Sequence, residues 1–170
     1  IDRKAFAASG MYLAQTQEIE AEGSLGYKLT FSYRVRGFPV LLGNKQISEY
    51  VQIEVFNNQV RGYSQLFRRE TNVDRAQPFI SGRILSSFDV IDKNYALLER
   101  KYLQYTGNTK EALGDGLLKA VLGSIEDVTI SYYDPNLKDQ DEKLIEIWQI
   151  NAHGRVYAFN AYTGTLVYEG

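Results

Sequence analysis

The stretch from Ile145 to Gly170 constrains this chain more than any other. It reads Ile145-Glu-Ile-Trp-Gln-Ile-Asn-Ala-His-Gly-Arg-Val-Tyr-Ala-Phe-Asn-Ala-Tyr-Thr-Gly-Thr-Leu-Val-Tyr-Glu-Gly170. That is a strand, a tight turn at His153-Gly154, a second strand, a turn at Thr163-Gly164 and a short third strand. Strands joined by turns this short pair antiparallel, because a parallel pairing needs a crossover of about a dozen residues or more. The pattern predicts an antiparallel meander, a scaffold rather than a catalytic site.

The same design occurs earlier, in Tyr50-Val-Gln-Ile-Glu-Val-Phe-Asn-Asn-Gln-Val-Arg-Gly-Tyr63. An alternating strand runs into a two-residue polar turn, then Gln-Val-Arg (Gly-Arg-Val in the tail), then an aromatic return strand. Asn tolerates positive φ, which suits Asn57-Asn58 to a hairpin turn. Each hairpin follows another alternating strand, Tyr27–Val35 or Val128–Tyr132. The two hairpins read as copies of one module or as two uses of one turn chemistry. The expectation adopted is an α+β fold of two related modules, residues 1–75 and 76–170, each an antiparallel sheet packed by helix on one face. The second is expected to hold helices within 89–123 and the meander over 125–169.

The pass along the chain fills in this frame. Residues 1–22 hold no single period and predict a short helix followed by an irregular strand. Tyr27, Leu29, Phe31, Tyr33 and Val35 alternate with Lys28, Thr30, Ser32 and Arg34, which predicts a half-buried strand ending at Gly37-Phe-Pro39. Val60 to Phe67 is the return strand of the first hairpin. Turn-forming and polar residues over 68–87 mark the module boundary. Ile91, Tyr95, Leu98, Tyr102 and Tyr105 then recur at helical spacing, with Asp89 as N-cap. Asn108 with Glu111 predicts the start of a second helix reaching Gly123, weakened by Gly114 and Gly116. Pro135 ends the strand begun at Val128.

Composition excludes several classes of function. With 19 basic and 21 acidic residues the net charge is −2, which gives no electrostatic footprint for nucleic acid. The chain has no cysteine, so disulfide scaffolds, thiol chemistry and Cys-ligated zinc are excluded. There is no run of apolar residues long enough to span a bilayer. Ile1-Asp-Arg-Lys reads as an internal start, with any signal or anchor expected upstream.

The residues that could carry chemistry are few. His153 is the sole histidine and stands beside Gly154 at a hairpin tip, so a solvated turn residue is expected rather than a base or ligand. Asp134, Asn136, Asp139, Asp141 and Glu142 form an acidic loop over 134–142. Oxygen ligands so spaced can hold calcium, but the run lacks the central glycine of an EF-hand loop and is interrupted by Pro135 and Lys138; a solvated loop is expected. Gly114-Asp-Gly116 lacks phosphate-loop spacing, and Arg68-Arg69 is too small for a nucleic-acid site. No spacing singles out a pair of catalytic carboxylates. No catalytic, cofactor-binding or metal-ligating residue is assigned. The remaining signal is aromatic: among 13 Tyr, 8 Phe and one Trp, strand residues such as Tyr27, Phe31, Tyr33, Tyr132, Tyr157 and Phe159 belong mostly to cores, and an exposed subset would form a protein-contact surface.

These pieces resemble a known family. The Tyr27–Val35 strand followed by Gly37-Phe-Pro-Val40, the Val60–Phe67 return strand and Gly116-Leu-Leu-Lys-Ala-Val-Leu-Gly-Ser-Ile-Glu-Asp-Val128 are similar to the extracytoplasmic part of the YycI/YycH regulatory proteins of low-GC Gram-positive bacteria. Trp148-x-Ile150 and Phe159-Asn-Ala-Tyr-Thr-Gly164 complete the match, which covers most of 25–170; the Phe-Asn-Ala-x-x-Gly turn also recurs in PepSY-like modules. The resemblance implies two α+β modules behind one N-terminal transmembrane helix, on the outer face of the cell membrane. It implies a non-enzymatic role without cofactor or small-molecule substrate: with a homologous regulator, restraint of the WalK (YycG) sensor histidine kinase that governs cell-wall metabolism. A secreted PepSY-like binding or peptidase-inhibitor module is the alternative, and an enzyme of unrecognised type the third.

Overall fold

The structure, a computed structural model, describes residues 10–35, 37–43, 51–65, 83–135 and 144–170. The fold is α+β. The chain divides into two compact units, Ile1–Pro78 with Asp134–Lys143, and Phe79–Tyr133 with Leu144–Gly170.

In the first unit, β1 (Tyr12–Ala21), β2 (Ser24–Ser32), β5 (Val51–Phe56) and β6 (Gln59–Gln65) form an antiparallel sheet in the order β1-β2-β5-β6. Two of its connections are two-residue turns with positive φ at both positions, Glu22-Gly23 and Asn57-Asn58. That geometry matches the right-handed twist of the flanking strands. Between β2 and β5 lies a short hairpin of β3 (Arg34–Val35) and β4 (Phe38–Leu42). Gly37-Phe-Pro39 therefore does not end the extended chain, as the sequence reading had it. It turns the chain back, with Gly37 at φ 87°. The predicted helix near the start, Arg68-Arg69 and the end of the Val60–Phe67 strand lie outside the described residues.

The second unit holds α1 (Ser87–Lys93), α2 (Tyr95–Thr106), α3 (Lys110–Leu113), a 3-10 turn (Gly114–Gly116) and α4 (Leu117–Gly123). These are followed by β7 (Ile125–Asp134), β8 (Ile145–Ala152), β9 (Arg155–Asn160) and β10 (Leu166–Glu169). Its strands run β10-β9-β8-β7, each antiparallel to the next. The core joins Val90, Leu98 and Val121 of the helices to Ile150, Ala152, Tyr157 and Phe159 of the sheet. Pairing of Ile150 with Tyr157 and of Trp148 with Phe159 puts these sheet residues on one face.

Two helix starts differ from the sequence reading. Asp89 is not the N-cap of the first helix. Ser86 is, and its Oγ accepts from Asp89 N at 3.1 Å while Asp89 Oδ2 accepts from Ser86 N at 3.1 Å, a reciprocal capping box. Asp89 carries a depressed pKa because it accepts from the Ser86 hydroxyl and backbone. Likewise Thr109, not Asn108, caps the helix at Lys110, with Oγ1 accepting from Ala112 N at 3.2 Å. The single helix expected over 89–105 is two helices meeting at Asn94. The Asn94 side chain donates to Val90 O and to Gly164 O, each at 2.8 Å. Gly114 and Gly116 do loosen the next helix, into the 3-10 turn.

The motif Phe159-Asn-Ala-Tyr-Thr-Gly164 is a built turn. Asn160 Oδ1 accepts from Tyr162 N and Thr163 N at 3.0 Å each, and Gly164 takes φ 68°. Lys93 Nζ reaches Thr163 O at 2.5 Å, and Ala161 is fully buried. Trp148 Nε1 donates to Leu85 O at 2.9 Å, while Leu85 N donates to Ala161 O at 2.9 Å. Trp148 and the turn ending at Gly164 thus fasten the segment from Leu85 to Asn94 to the sheet.

Candidate protein-contact surface

The register of the first sheet lines up three rows across its four strands. Glu18, Tyr27, Val55 and Val60 form one; Thr16, Leu29, Ile53 and Tyr63 the next; Leu13, Phe31, Val51 and Gln65 the third. Directly paired residues share a face, so all three rows look the same way, joined at the hairpin end by Glu20 opposite Leu25. This face is apolar over most of its width.

It is also open. Every exposed large apolar side chain described in this sheet stands on it: Leu13, Leu25, Tyr27, Val60 and Tyr63, with Leu25 at 60% and Val60 at 64% exposure. The opposite face carries the buried Gly26, Thr30 and Phe56 beside polar residues, of which Gln15, Gln17 and Ser64 are exposed and Lys28, Gln52 and Glu54 half-buried. Gly26 is required there, because a Cβ would stand 2.5 Å from the Phe56 ring and 2.6 Å from Val55 O. The sequence reading placed Tyr27, Leu29 and Phe31 together on one face, and they share one. Thr30, on the opposite face, is buried, while Tyr27 is 44% exposed. Leu25, Tyr27, Val60 and Tyr63 stand on neighbouring rows toward the hairpin end, with Leu13 at the edge of the third, and exposed apolar side chains grouped on one face mark contact sites. At about 25 cal/mol per Å2 of apolar area, covering them would contribute several kcal/mol to association.

His153 does not stand free in solvent. It holds φ 56° in the β8–β9 turn, half-buried, with its ring 5.2 Å from that of Tyr102 and 6.4 Å from that of Tyr105. Arg155 lies over the Tyr105 ring at 5.0 Å, and Lys101 pairs with Glu169 at 2.5 Å. Tyr157 is buried beneath, its pKa pushed up to about 12 by burial first and then by Tyr105 and Glu169. The Tyr105 hydroxyl is near enough to perturb it yet outside hydrogen-bond geometry. His153 thus joins the turn to α2 through aromatic packing.

The other residues singled out in the sequence do not gather. Asp134 ends β7, buried, its backbone carbonyl accepting from Gly43 N at 2.7 Å, and so is not part of a solvated loop. Asn136, Asp139, Asp141 and Glu142 lie outside the described residues. No group of three or more His, Asp or Glu able to hold a metal occurs among the described residues. Tyr132, Tyr157 and Phe159 are core residues, as is Tyr33. Leu25, Val60 and Tyr63 were not singled out as surface residues by sequence reasoning. The available signal was the pairing of their strands, which aligns them with Tyr27.

Among the described residues no helix is long and apolar enough to cross a membrane. No protein-family model, curated protein or solved structure matches the chain.

Proposed function

We propose that the chain is a regulatory module that acts by protein–protein contact rather than by catalysis. In this reading it is an extracytoplasmic, membrane-tethered protein of the YycI/YycH type. With a homologous regulator it restrains a WalK-type sensor histidine kinase that controls cell-wall metabolism. The observation that supports contact is the open apolar face of the first sheet, where Leu25, Tyr27, Val60 and Tyr63 look outward together. The kinase and the cell wall come from the sequence resemblance alone.

The test is co-purification of the protein with the membrane-embedded kinase, with and without Tyr27→Glu and Val60→Glu. Capture by the parent protein and loss by the double variant support the reading. Equal capture by both overturns the face as the contact. Absence of capture by either, together with inhibition of a co-encoded peptidase, would favour the PepSY-like alternative.

A further inference from the structure

We propose that the occupant of this face is an amphipathic helix of a partner protein, carrying lysine or arginine along one flank of its apolar stripe. The proposal rests on the reading of the face as a contact surface and adds the chemistry of what docks there.

Charge gives the first argument. Glu18 and Glu20 are exposed and are the charged side chains on the aligned rows; among the described residues no lysine or arginine stands on those rows. Both acids stand on β1, an edge strand, so the face has one acidic border beside an apolar field that runs to β6. Arg61 does not neutralise it, since its guanidinium reaches Glu22 at 3.5 Å and lies over the Phe56 ring of the other face. A second copy docked face to face would bring two more carboxylates and, among the described residues of the rows, no cation. An anionic lipid surface would be repelled by the same acids. A basic flank on a protein partner answers them.

Shape gives the second. Four strands spaced by about 4.8 Å span roughly 14 Å, which accommodates one helix of about 10–12 Å diameter. Helix on sheet is the ordinary way for an apolar sheet face to be covered. Strand addition at either edge is disfavoured, because both edge strands carry irregularities that blunt pairing. The β1 register shifts between Leu13 and Gln15, and the β6 register shifts opposite Glu54 and Val55.

The experiment uses three synthetic helices about five turns long that share one leucine stripe and differ only in its flank: lysine, glutamine or glutamate. Binding to the full chain is measured by fluorescence anisotropy at two salt concentrations and located by amide chemical-shift changes. The lysine helix is expected to bind tightest, to weaken with salt, and to perturb β2 and β6. Glu18→Gln with Glu20→Gln should lower its affinity about three- to tenfold, the range of two exposed ion pairs, and remove the salt dependence. These exposed substitutions spare the fold, which a melting curve checks. Equal binding of all three helices on this face overturns the basic partner and leaves the contact reading intact. Perturbation elsewhere in the protein overturns the proposal. Failure of the contact reading itself shows separately, as kinase capture that survives Tyr27→Glu with Val60→Glu.

Discussion

The His153 imidazole rests against the Tyr102 ring, with centroids 5.2 Å apart and planes tilted by 57°. A turn residue of one hairpin is thereby packed on a helix that ends far earlier in the chain. The backbone at His153 is left-handed at φ 56°, which β-branched residues rarely adopt. His153→Val should therefore destabilise the protein by about 1–3 kcal/mol. His153→Gly, which relieves φ but removes the ring, should fall within about 1 kcal/mol of the parent. Urea unfolding of the two variants checks the order; the reverse order would mean that ring packing outweighs backbone strain.

Asn94 bridges the end of α1 to the Gly164 carbonyl, seventy positions away in sequence. Asn94→Ala leaves Val90 O and Gly164 O without that donor and should cost about 1–3 kcal/mol. Amide exchange at the Thr163–Gly164 turn should accelerate with it. An unchanged exchange rate would show that Lys93 and Asn160 hold the turn without it.

Tyr157 sets an alkaline limit. Its folded pKa is raised from 10 to about 12, so the deprotonated form is disfavoured in the fold. The stability this group contributes is full below pH 10 and is lost as pH rises through about 12. Burial also raises Tyr33, Tyr95 and Tyr162, so tyrosinate absorbance should show several late-titrating groups in the parent and one fewer in Tyr157→Phe. Glu169→Gln removes a neighbouring negative charge and should bring the Tyr157 titration down.

Gly26 faces Phe56 across the first sheet at a distance that leaves no room for a methyl group. Gly26→Ala should destabilise by about 1–3 kcal/mol through overpacking. Phe56→Leu should restore only part of that, because the Val55 carbonyl also stands in the way and is backbone. Full rescue in the double variant would place the whole clash on the ring.

How much of this was legible in the sequence depended on the range of the forces involved. Asn57-Asn58 and His153-Gly154 were readable as hairpin turns because a two-residue turn needs positive φ locally, and all four residues have it. The Asn94 break in the helical stripe was not readable, because one of the carbonyls that accepts from the Asn94 side chain belongs to a turn far along the chain. The contact face was half readable. Alternation put Tyr27, Leu29 and Phe31 on one face, but a period of two does not say which face meets the core.

The two hairpins make the point together. Counting back from the turn, the apolar row of β5 is Val55, Ile53 and Val51, at even steps from Asn57. In β8 the helix-facing row is Ala152, Ile150 and Trp148, at odd steps from His153. The hairpins look alike in sequence, yet these rows lie on opposite faces relative to their turns, since one step along a strand exchanges its faces. Turn chemistry and alternation, both local, determined where the strands run and that they pair antiparallel. Which face is covered and which is left open was decided only by tertiary packing, because burial depends on what arrives from elsewhere in the chain.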